Sequence, residues 1–357
     1  MRNHEVKKPQ LLLDKNGEIV EPGWATGQVW QYRRDMIRAP KIRIKEWDYY
    51  LVVHDGKKSG DESFAAAFTL SDDGYVGLQS VSLLFPGEKN PWEHTSTILN
   101  VCPMGKMHLP ESSERGDVQY HDKKLELAFI KQPGTRAIRG TYQDFHEGKP
   151  LSADIVLEEK AGDTMVIATP WDQAHHFYYN QKINCMRASG EIRWGDRTLH
   201  LNPASDFGTL DWGRGVWTYD NTWYWGSGNA DIDGRAFGFN IGFGFGNTKA
   251  ATENIFFVDG RATKLDDVEI SIPGDVDLKD MESPHYMEPW TIHESRGRFE
   301  MTFTPVLDRA AKMDFKVIVS DQHQVFGRMN GYALTDSGER IEVNDVLCFI
   351  EKVHNRY

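Results

Sequence analysis

The chain has 357 residues, of which 39% are hydrophobic and 12% are aromatic, and its formal net charge is -12. This composition suffices for a large hydrophobic core or for two domains. The negative charge argues against a nucleic-acid partner, because phosphate backbones bind basic surfaces. No apolar run approaches the ~20 residues that span a bilayer, and the N-terminus lacks a signal sequence, so we expect no stable membrane insertion.

The cysteines predict a cellular compartment. Cys102, Cys185 and Cys348 are widely spaced and form no Cys-x-x-Cys pair. This pattern predicts reduced thiols in a cytoplasmic protein and gives no support for zinc. Nucleotide-binding glycine motifs and the Gly-x-Ser-x-Gly nucleophile motif are also missing from the sequence. We therefore expect neither a metal nor another cofactor.

Short strands and turns follow one another along the first half of the chain. Residues 44–53 alternate between apolar and polar positions, and Asp73-Gly74 is typical of a hairpin turn. Strand signals continue to the C-terminus, and no alternation of helices with strands favours a parallel sheet. The sequence predicts an all-β protein with two tandem antiparallel barrel or sandwich domains and little helix. Because Pro170-Trp171 is typical of a hinge, we place the domains at residues 1–170 and 171–357.

The most unusual stretch spans residues 206–246. Its first half combines acidic and basic residues with several tryptophans. In its second half, large apolar residues alternate strictly with small or polar ones, which is the period of a strand. The polar residues of the first half are Asp206, Asp211 and Arg214, its tryptophans are Trp212, Trp217, Trp223 and Trp225, and the apolar row is Phe237, Phe239, Ile241, Phe243 and Phe245.

A two-residue turn at Asp233-Gly234 fixes the register of this hairpin. Trp225 then lies opposite Gly242 and Trp223 opposite Gly244, so each indole covers a glycine. A three-residue loop with a bulge at Gly234 would shift the pairing by one residue. We prefer the first register because it fills the gaps that the glycines leave.

The two faces of the hairpin differ in chemistry. One face is aromatic with polar groups, including Trp223, Trp225 and Asn240, and the other carries the apolar row. An aromatic and polar inner face of a barrel wall is typical of a ligand cavity. A sandwich strand that is packed on both sides and binds no ligand is the alternative.

Several motifs resemble a known family. Leu210-Asp211-Trp212-Gly213-Arg214-Gly215, the trio Trp223-Tyr224-Trp225 and the stretch from Phe177 to Cys185 resemble an uncharacterised bacterial family known as domain of unknown function 2804. This resemblance covers nearly the whole chain. It implies no specific activity.

A more distant similarity concerns carotenoid hydratases and tocopherol-cyclase-like proteins. Tyr178-Tyr179, Lys182, Ser189-Gly190 and Asp211-Trp212-Gly213 occur in the order found in those tandem lipocalin-like barrels. The resemblance implies lipocalin-like domains and a hydrophobic or isoprenoid-like small molecule as ligand. This chain departs from the family signature, since no histidine follows Asp211 and one residue is missing before Gly213.

These observations lead to a candidate site. Asp211 is the candidate general acid, which would protonate an alkene or enol while indole faces stabilise the resulting cation. If Arg214 pairs with Asp211, both residues have a structural role instead. Lys182 belongs to a polar row that either recognises a ligand or faces solvent. The other candidate ligand contacts are Tyr178, Asp206, Trp212, Arg214, Trp217, Trp223, Trp225 and Asn240.

Three functions remain open. The first is a cofactor-independent hydratase, lyase or isomerase that uses Asp211. The second is a lipocalin-like carrier without chemistry, and a homo-oligomer is compatible with either. The third is a carbohydrate-active protein, which requires a second carboxylate within about 5–10 Å of Asp211. Asp206 is the nearest candidate in sequence.

Overall fold

The structure is a computed structural model that describes residues 2–87, 89–314 and 318–357. Strands dominate it, which confirms the all-β prediction. A single short α-helix, α1 (Gly56–Ser59), occurs in the described residues, together with two 3-10 turns at Arg34–Met36 and Lys41–Arg43. The Asp55 side chain caps α1 by accepting a hydrogen bond from the Lys57 backbone N–H, and Gly60 ends it at a φ of 82°. None of the helices in these residues is long and apolar enough to cross a membrane.

The strands are numbered in chain order. The first seven are β1 (Gln10–Leu11), β2 (Gly23–Ala25), β3 (Trp30–Gln31), β4 (Ile44–His54), β5 (Phe64–Asp72), β6 (Val76–Phe85) and β7 (Trp92–Val101). The next eight are β8 (Val118–His121), β9 (Leu125–Gln132), β10 (Thr135–His146), β11 (Lys149–Glu158), β12 (Met165–Pro170), β13 (Phe177–Trp194), β14 (Arg197–Leu201) and β15 (Phe207–Val216). The last nine are β16 (Asp220–Ile232), β17 (Arg235–Phe243), β18 (Ile255–Val258), β19 (Arg261–Lys264), β20 (Val268–Ser271), β21 (Trp290–Glu294), β22 (Phe299–Asp314), β23 (Val319–Leu334) and β24 (Arg340–Arg356).

Two large curled antiparallel sheets contain nearly all of these strands. The first sheet has the order β7-β6-β5-β4-β15-β13-β11-β10-β9-β8, and β12, β14 and β2 pair beside this path. The second sheet has the order β19-β18-β17-β16-β24-β23-β22-β21-β20. Each sheet curls around its own core of buried apolar side chains. The molecule therefore consists of two tandem barrel-like halves.

The chain passes from the first sheet to the second between Val216 and Asp220. Strands β13 to β15 thus belong to the first sheet, although they follow residue 170. The pairing of β15 with both β13 and β4 holds them there. The division into folding domains at residue 170 stays a prediction.

The central hairpin has the preferred register. Ile232 pairs with Arg235 across the turn, and Trp225 pairs with Gly242. The apolar row behaves as predicted up to Ile241, since Phe237, Phe239 and Ile241 are fully buried in the second core. The prediction was wrong beyond Phe243, where the strand ends and Gly244 adopts a φ of 92°. This bend turns Phe245 to the opposite side, towards the tryptophans.

Both faces of the strands at the centre of the molecule are covered. On β4, Tyr50 and Val52 lie in the first core, whereas Leu51 packs against side chains of the second sheet. The aromatic and polar face of the central hairpin likewise faces the first sheet and not the inside of its own barrel. Its expected position on an inner wall was wrong, because the apolar row occupies the barrel interior. The space between the two sheets is where the candidate site lies.

Candidate active site

A cavity of about 710 Å³ lies between the two sheets. Strands β4 to β7, β13 and β15 of the first sheet line it on one side. The other side is formed by β16, β22, β23 and β24 of the second sheet. Cavities of this size accommodate a small organic molecule.

Aromatic side chains form the inner wall of this cavity. The predicted residues Tyr178, Trp217, Trp223 and Trp225 all line it. Phe245 contacts three of them, with ring centroids 4.6 Å from Tyr178, 4.8 Å from Trp217 and 5.1 Å from Trp223. The sequence therefore named four of the eight Phe, Trp and Tyr residues that line the cavity; the others are Trp47, Tyr49, Phe245 and Tyr357.

Trp47 also belongs to the wall, and a glycine on the neighbouring strand makes room for it. The ring of Trp47 stacks on Tyr178 at 6.4 Å and meets Trp217 edge-on at 5.1 Å. An added Cβ at Gly213, its cross-strand partner, would lie 1.9 Å from the Trp47 indole. Gly213 is therefore required by the close approach of this ring rather than by a sharp turn.

Asp211 faces the cavity and pairs with Lys182 rather than with Arg214. Lys182 is its cross-strand partner, and the Lys182 Nζ lies 2.8 Å from the Asp211 Oδ2. The Asn180 side chain donates a hydrogen bond to the Asp211 Oδ1 at 2.6 Å. The Lys182 ammonium also lies 3.8 Å from the centre of the Trp225 ring. Lys182 is therefore buried in the site and does not belong to a solvated row.

Arg214 and Trp212 point the other way, because alternate residues of β15 face opposite sides of the sheet. Arg214 is fully buried and pairs with Asp48 at 3.0 Å. It also donates hydrogen bonds to the backbone carbonyls of Trp47, Gly213 and Pro110, and its guanidinium lies 4.2 Å from the Trp212 ring. Neither residue lines the cavity, and the alternative in which Arg214 pairs with Asp211 was wrong.

Two further candidates lie outside the cavity wall. Asp206 is buried against His54, with 2.8 Å between the Asp206 Oδ2 and the His54 Nδ1. This hydrogen bond is the main reason why the pKa of His54 rises to about 9. Asn240 lies behind Trp225, accepts a hydrogen bond from its Nε1 at 2.6 Å and donates one to the Glu253 carbonyl. Asn240 thus orients the indole.

Sequence reasoning missed four carboxyl groups that line the cavity, Asp73, Glu93, Glu253 and Glu351. Burial raises the pKa of Glu351 to about 7, although Trp223, Lys182 and Gln324 oppose the shift. The Trp223 Nε1 donates to its Oε1 at 3.1 Å, and the Gln324 Nε2 donates to its Oε2 at 3.0 Å. Burial also raises the pKa of Glu253, against the opposing charge of Lys182. The one sequence signal for Glu351 is that this acidic residue directly follows the apolar run 346–350, with a further apolar residue at 353.

The site therefore combines a carboxyl group that titrates near neutral pH with a buried ion pair and an aromatic wall. Such a carboxyl group can give or accept a proton at neutral pH. Burial also raises the pKa of Tyr178 well above its usual range, so its phenol stays protonated as a hydrogen-bond donor. No group of three or more His, Cys, Asp or Glu side chains in the described part of the chain is arranged to hold a metal ion.

Comparisons with known proteins agree with this architecture. The model of a family described as a domain of unknown function (DUF2804) matches residues 3–357. No curated protein matched the chain. Among solved structures, kievitone hydratase from Nectria haematococca aligns with a TM-score of 0.55 and 10% identity over 98% of each chain. A protein of Nitrosomonas europaea assigned as an AttH aligns with a TM-score of 0.52 and 13% identity, over 90% of this chain and 95% of that one. At these identities the likeness concerns the fold.

Proposed function

The chain belongs to the DUF2804 family, and we propose from its site that it is a cofactor-independent enzyme that adds or removes a proton at an apolar small molecule. The reaction class is that of a hydratase, lyase or isomerase. The observation that carries this proposal is Glu351, a cavity-lining carboxyl group whose pKa is raised to about 7 by burial beside an aromatic wall. Raised pKa values of this kind cluster at functional sites.

In the proposed reaction, Glu351 is the proton donor. It transfers its proton to one carbon of a carbon–carbon double bond, and the two electrons of the π bond form the new C–H bond. The neighbouring carbon becomes electron-poor and lies among the faces of Trp47, Trp217 and Trp223, whose ring quadrupoles stabilise positive charge. A water molecule then adds to that carbon and gives up one proton to Asp211, or Asp211 removes a proton from an adjacent carbon so that its C–H electrons form a new double bond.

Asp211 has the complementary role in this scheme. Both of its oxygens accept hydrogen bonds, from Lys182 and from Asn180. A carboxylate held in this way is suited to orient water or to accept its proton, whereas Glu351 supplies the acid. The fold of kievitone hydratase supports the scheme only as an analogy, because fold does not determine function. A hydrophobic ligand suits the aromatic wall, and the isoprenoid-like class is what the resemblance to carotenoid hydratases and tocopherol-cyclase-like proteins implies.

Turnover by a Glu351→Gln variant tests the proposal. The purified protein is incubated with a panel of unsaturated terpenoid and phenolic compounds, and mass spectrometry detects the gain or loss of one water or an isomeric product. We expect conversion by the wild type and at least about a 100-fold loss in the variant, the usual contribution of a general acid. Binding of the same compound should persist, because glutamine keeps the shape of the side chain.

The carrier alternative predicts a different result. If both proteins bind the compounds equally and neither converts any of them, the protein is a binding module with the same cavity. If Glu351→Gln turns over as fast as the wild type, the assignment of the proton donor is wrong. Exposed Glu126 lies on β9 outside the cavity, so Glu126→Gln provides the matched control.

A further inference from the structure

Arg309 lies on β22 in the wall of the cavity and bridges the two sheets. Its Nε donates to the Thr95 Oγ1 at 3.2 Å, and its Nη2 donates to the Ser82 Oγ at 2.9 Å. Both of these residues belong to the first sheet. Its Nη1 donates to the Gln324 Oε1 at 2.8 Å within the second sheet. All three acceptors are uncharged oxygens.

The other cations of the cavity have carboxylate partners. Lys182 pairs with Asp211 at 2.8 Å, and Lys312 lies 3.0 Å from the Asp321 Oδ2. Among the ion pairs of the described residues, Arg309 has none. A partly buried guanidinium without an ion pair is unfavourable, because no direct contact with a carboxylate offsets its desolvation.

The guanidinium also has donors to spare. A guanidinium carries five N–H groups, and Arg309 uses one on each nitrogen. One N–H group therefore stays available on each of the two terminal nitrogens. Two N–H groups of this kind match the two oxygens of a carboxylate.

The position of Arg309 relative to the proposed proton donor follows from the strand register. Arg309 pairs with Gln324, Gln324 pairs with Glu351, and Glu351 pairs with Trp225, so the four residues form one row across β22, β23, β24 and β16. Neighbouring strands are about 4.8 Å apart, so the backbones of Arg309 and Glu351 are about 10 Å apart along this row. The Gln324 amide links their side chains, because it accepts from the Arg309 Nη1 at 2.8 Å and donates to the Glu351 Oε2 at 3.0 Å.

We propose that the ligand of this cavity is an amphipathic organic acid, whose anionic head group binds Arg309 and whose apolar body lies along the row towards Glu351 and the tryptophans. The proposal rests on the proposed function, since it names the substrate class of the same site. A carboxylate is the head group that best matches the two available N–H groups.

Binding of a matched pair of probes tests this proposal. Decanoate and decanol share an apolar chain and differ in charge, and isothermal titration calorimetry gives their Kd values for the wild type, Arg309→Gln and Arg309→Lys. We expect the wild type to prefer decanoate and Arg309→Gln to weaken decanoate about 10- to 100-fold while decanol changes little. Arg309→Lys should restore part of the preference, because it keeps the charge and loses the planar fork.

Exposed Arg139 pairs with Asp154 outside the cavity, so Arg139→Gln is the control and should leave both Kd values unchanged. Equal affinity of the wild type for both probes would overturn the head-group assignment and leave the proposed function intact. The head-group assignment would also be overturned if Arg309→Gln and Arg309→Lys both weakened the binding of decanoate and of decanol to the same degree. Arg309 would then only join the two sheets. Binding of neither probe by the wild type would overturn the apolar cavity itself and the proposed function with it.

Discussion

At the scale of single residues, the protonation of Glu351 depends on its burial between Trp223 and Gln324. Its pKa is about 7 in the folded protein, compared with an ordinary value of 4.5. Between these two pH values the folded state binds more protons than the unfolded chain. The free energy of unfolding therefore falls as the pH rises through this range, and the stabilisation that the proton provides is fully present only below about pH 4.5.

We predict that Glu351→Gln removes this pH dependence. Glutamine does not titrate, so the stability of the variant relative to the wild type should increase by about 2–3 kcal/mol between pH 5 and pH 8. Urea unfolding of both proteins at several pH values in this range measures the difference. A difference that stays constant with pH would mean that Glu351 is ionised throughout, and the proton-donor role would be lost with it.

The residues of the site differ in how far the sequence predicts them. Asp211, Trp217, Trp223 and Trp225 lie close together in the chain, so a local pattern reveals them. Glu351 and Arg309 enter the site only through the pairing of distant strands, and a charged residue in a long strand more often faces solvent. The ion-pair partner of Asp211 could not be predicted from the sequence either, because it depends on which residue of β13 lies opposite Asp211.

At the scale of elements, the glycines of β17 have close neighbours other than the indoles. An added Cβ at Gly238 would lie 2.6 Å from the Cys185 Sγ on β13. At Gly242 it would lie 2.8 Å from the Tyr224 carbonyl oxygen and 2.9 Å from the Glu253 Oε1. Trp225 is therefore not among the three atoms nearest to an added Cβ at Gly242. The neighbours of Gly242 are a backbone atom and a buried carboxyl group.

We predict that Gly242→Ala destabilises the protein by about 1–3 kcal/mol, the usual cost of overpacking. The Tyr224 carbonyl cannot move without disturbing the pairing of β16 with β17, so relaxation at this position is limited. Thermal and urea unfolding measure the change. Gly27→Ala is the control, because an added Cβ there meets no atom within 4 Å. Equal stability of the two variants would show that β17 has more room than these distances indicate.

The register of the hairpin was predictable because a two-residue Asp-Gly turn fixes the pairing by itself. The C-terminal end of β17 was not predictable from the sequence. The alternation of apolar residues continues through Phe245, while the positive φ of Gly244 depends on the aromatic wall that Phe245 joins. A tertiary contact therefore overrides the periodic pattern at this point.

At the scale of the whole molecule, the cavity exists because two curled sheets dock through their outer faces. Alternation along a strand shows that both faces are apolar or aromatic, but it does not show which face lines a barrel and which face meets another sheet. The first sheet also contains β13 to β15, which follow the predicted domain boundary at residue 170. Long-range pairing of this kind leaves no local signal in the sequence.

A polar cluster joins the two sheets beside the cavity. Asn229 on β16 accepts hydrogen bonds from the Cys185 backbone N–H at 2.8 Å and from the Asn184 Nδ2 at 3.1 Å, both on β13. It also donates to the Thr209 Oγ1 on β15 at 2.8 Å. The main chain is irregular here, since Cys185 has a φ of 60° and the register of β13 against β15 shifts between Ile183 and Met186. Asn229 thus satisfies the Cys185 backbone N–H at this irregular point of β13. The Asn184 Nδ2 also donates to the Ser227 Oγ at 2.9 Å and to the Phe239 carbonyl at 3.1 Å.

We predict that Asn229→Ala destabilises the protein by about 1–3 kcal/mol, since partly buried donors and acceptors on the first sheet lose their partner. Asn229→Asp should cost less, because its carboxylate still accepts from Cys185 and Asn184 while the Thr209 hydroxyl can turn to donate. Urea unfolding followed by tryptophan fluorescence and by far-ultraviolet circular dichroism measures both effects, with exposed Asn90→Ala as the control. If the cluster holds the sheets together, the fluorescence transition of Asn229→Ala should precede the circular dichroism transition, because the tryptophans between the sheets become solvated first. Coincident transitions at wild-type stability would instead show that apolar packing alone docks the two sheets.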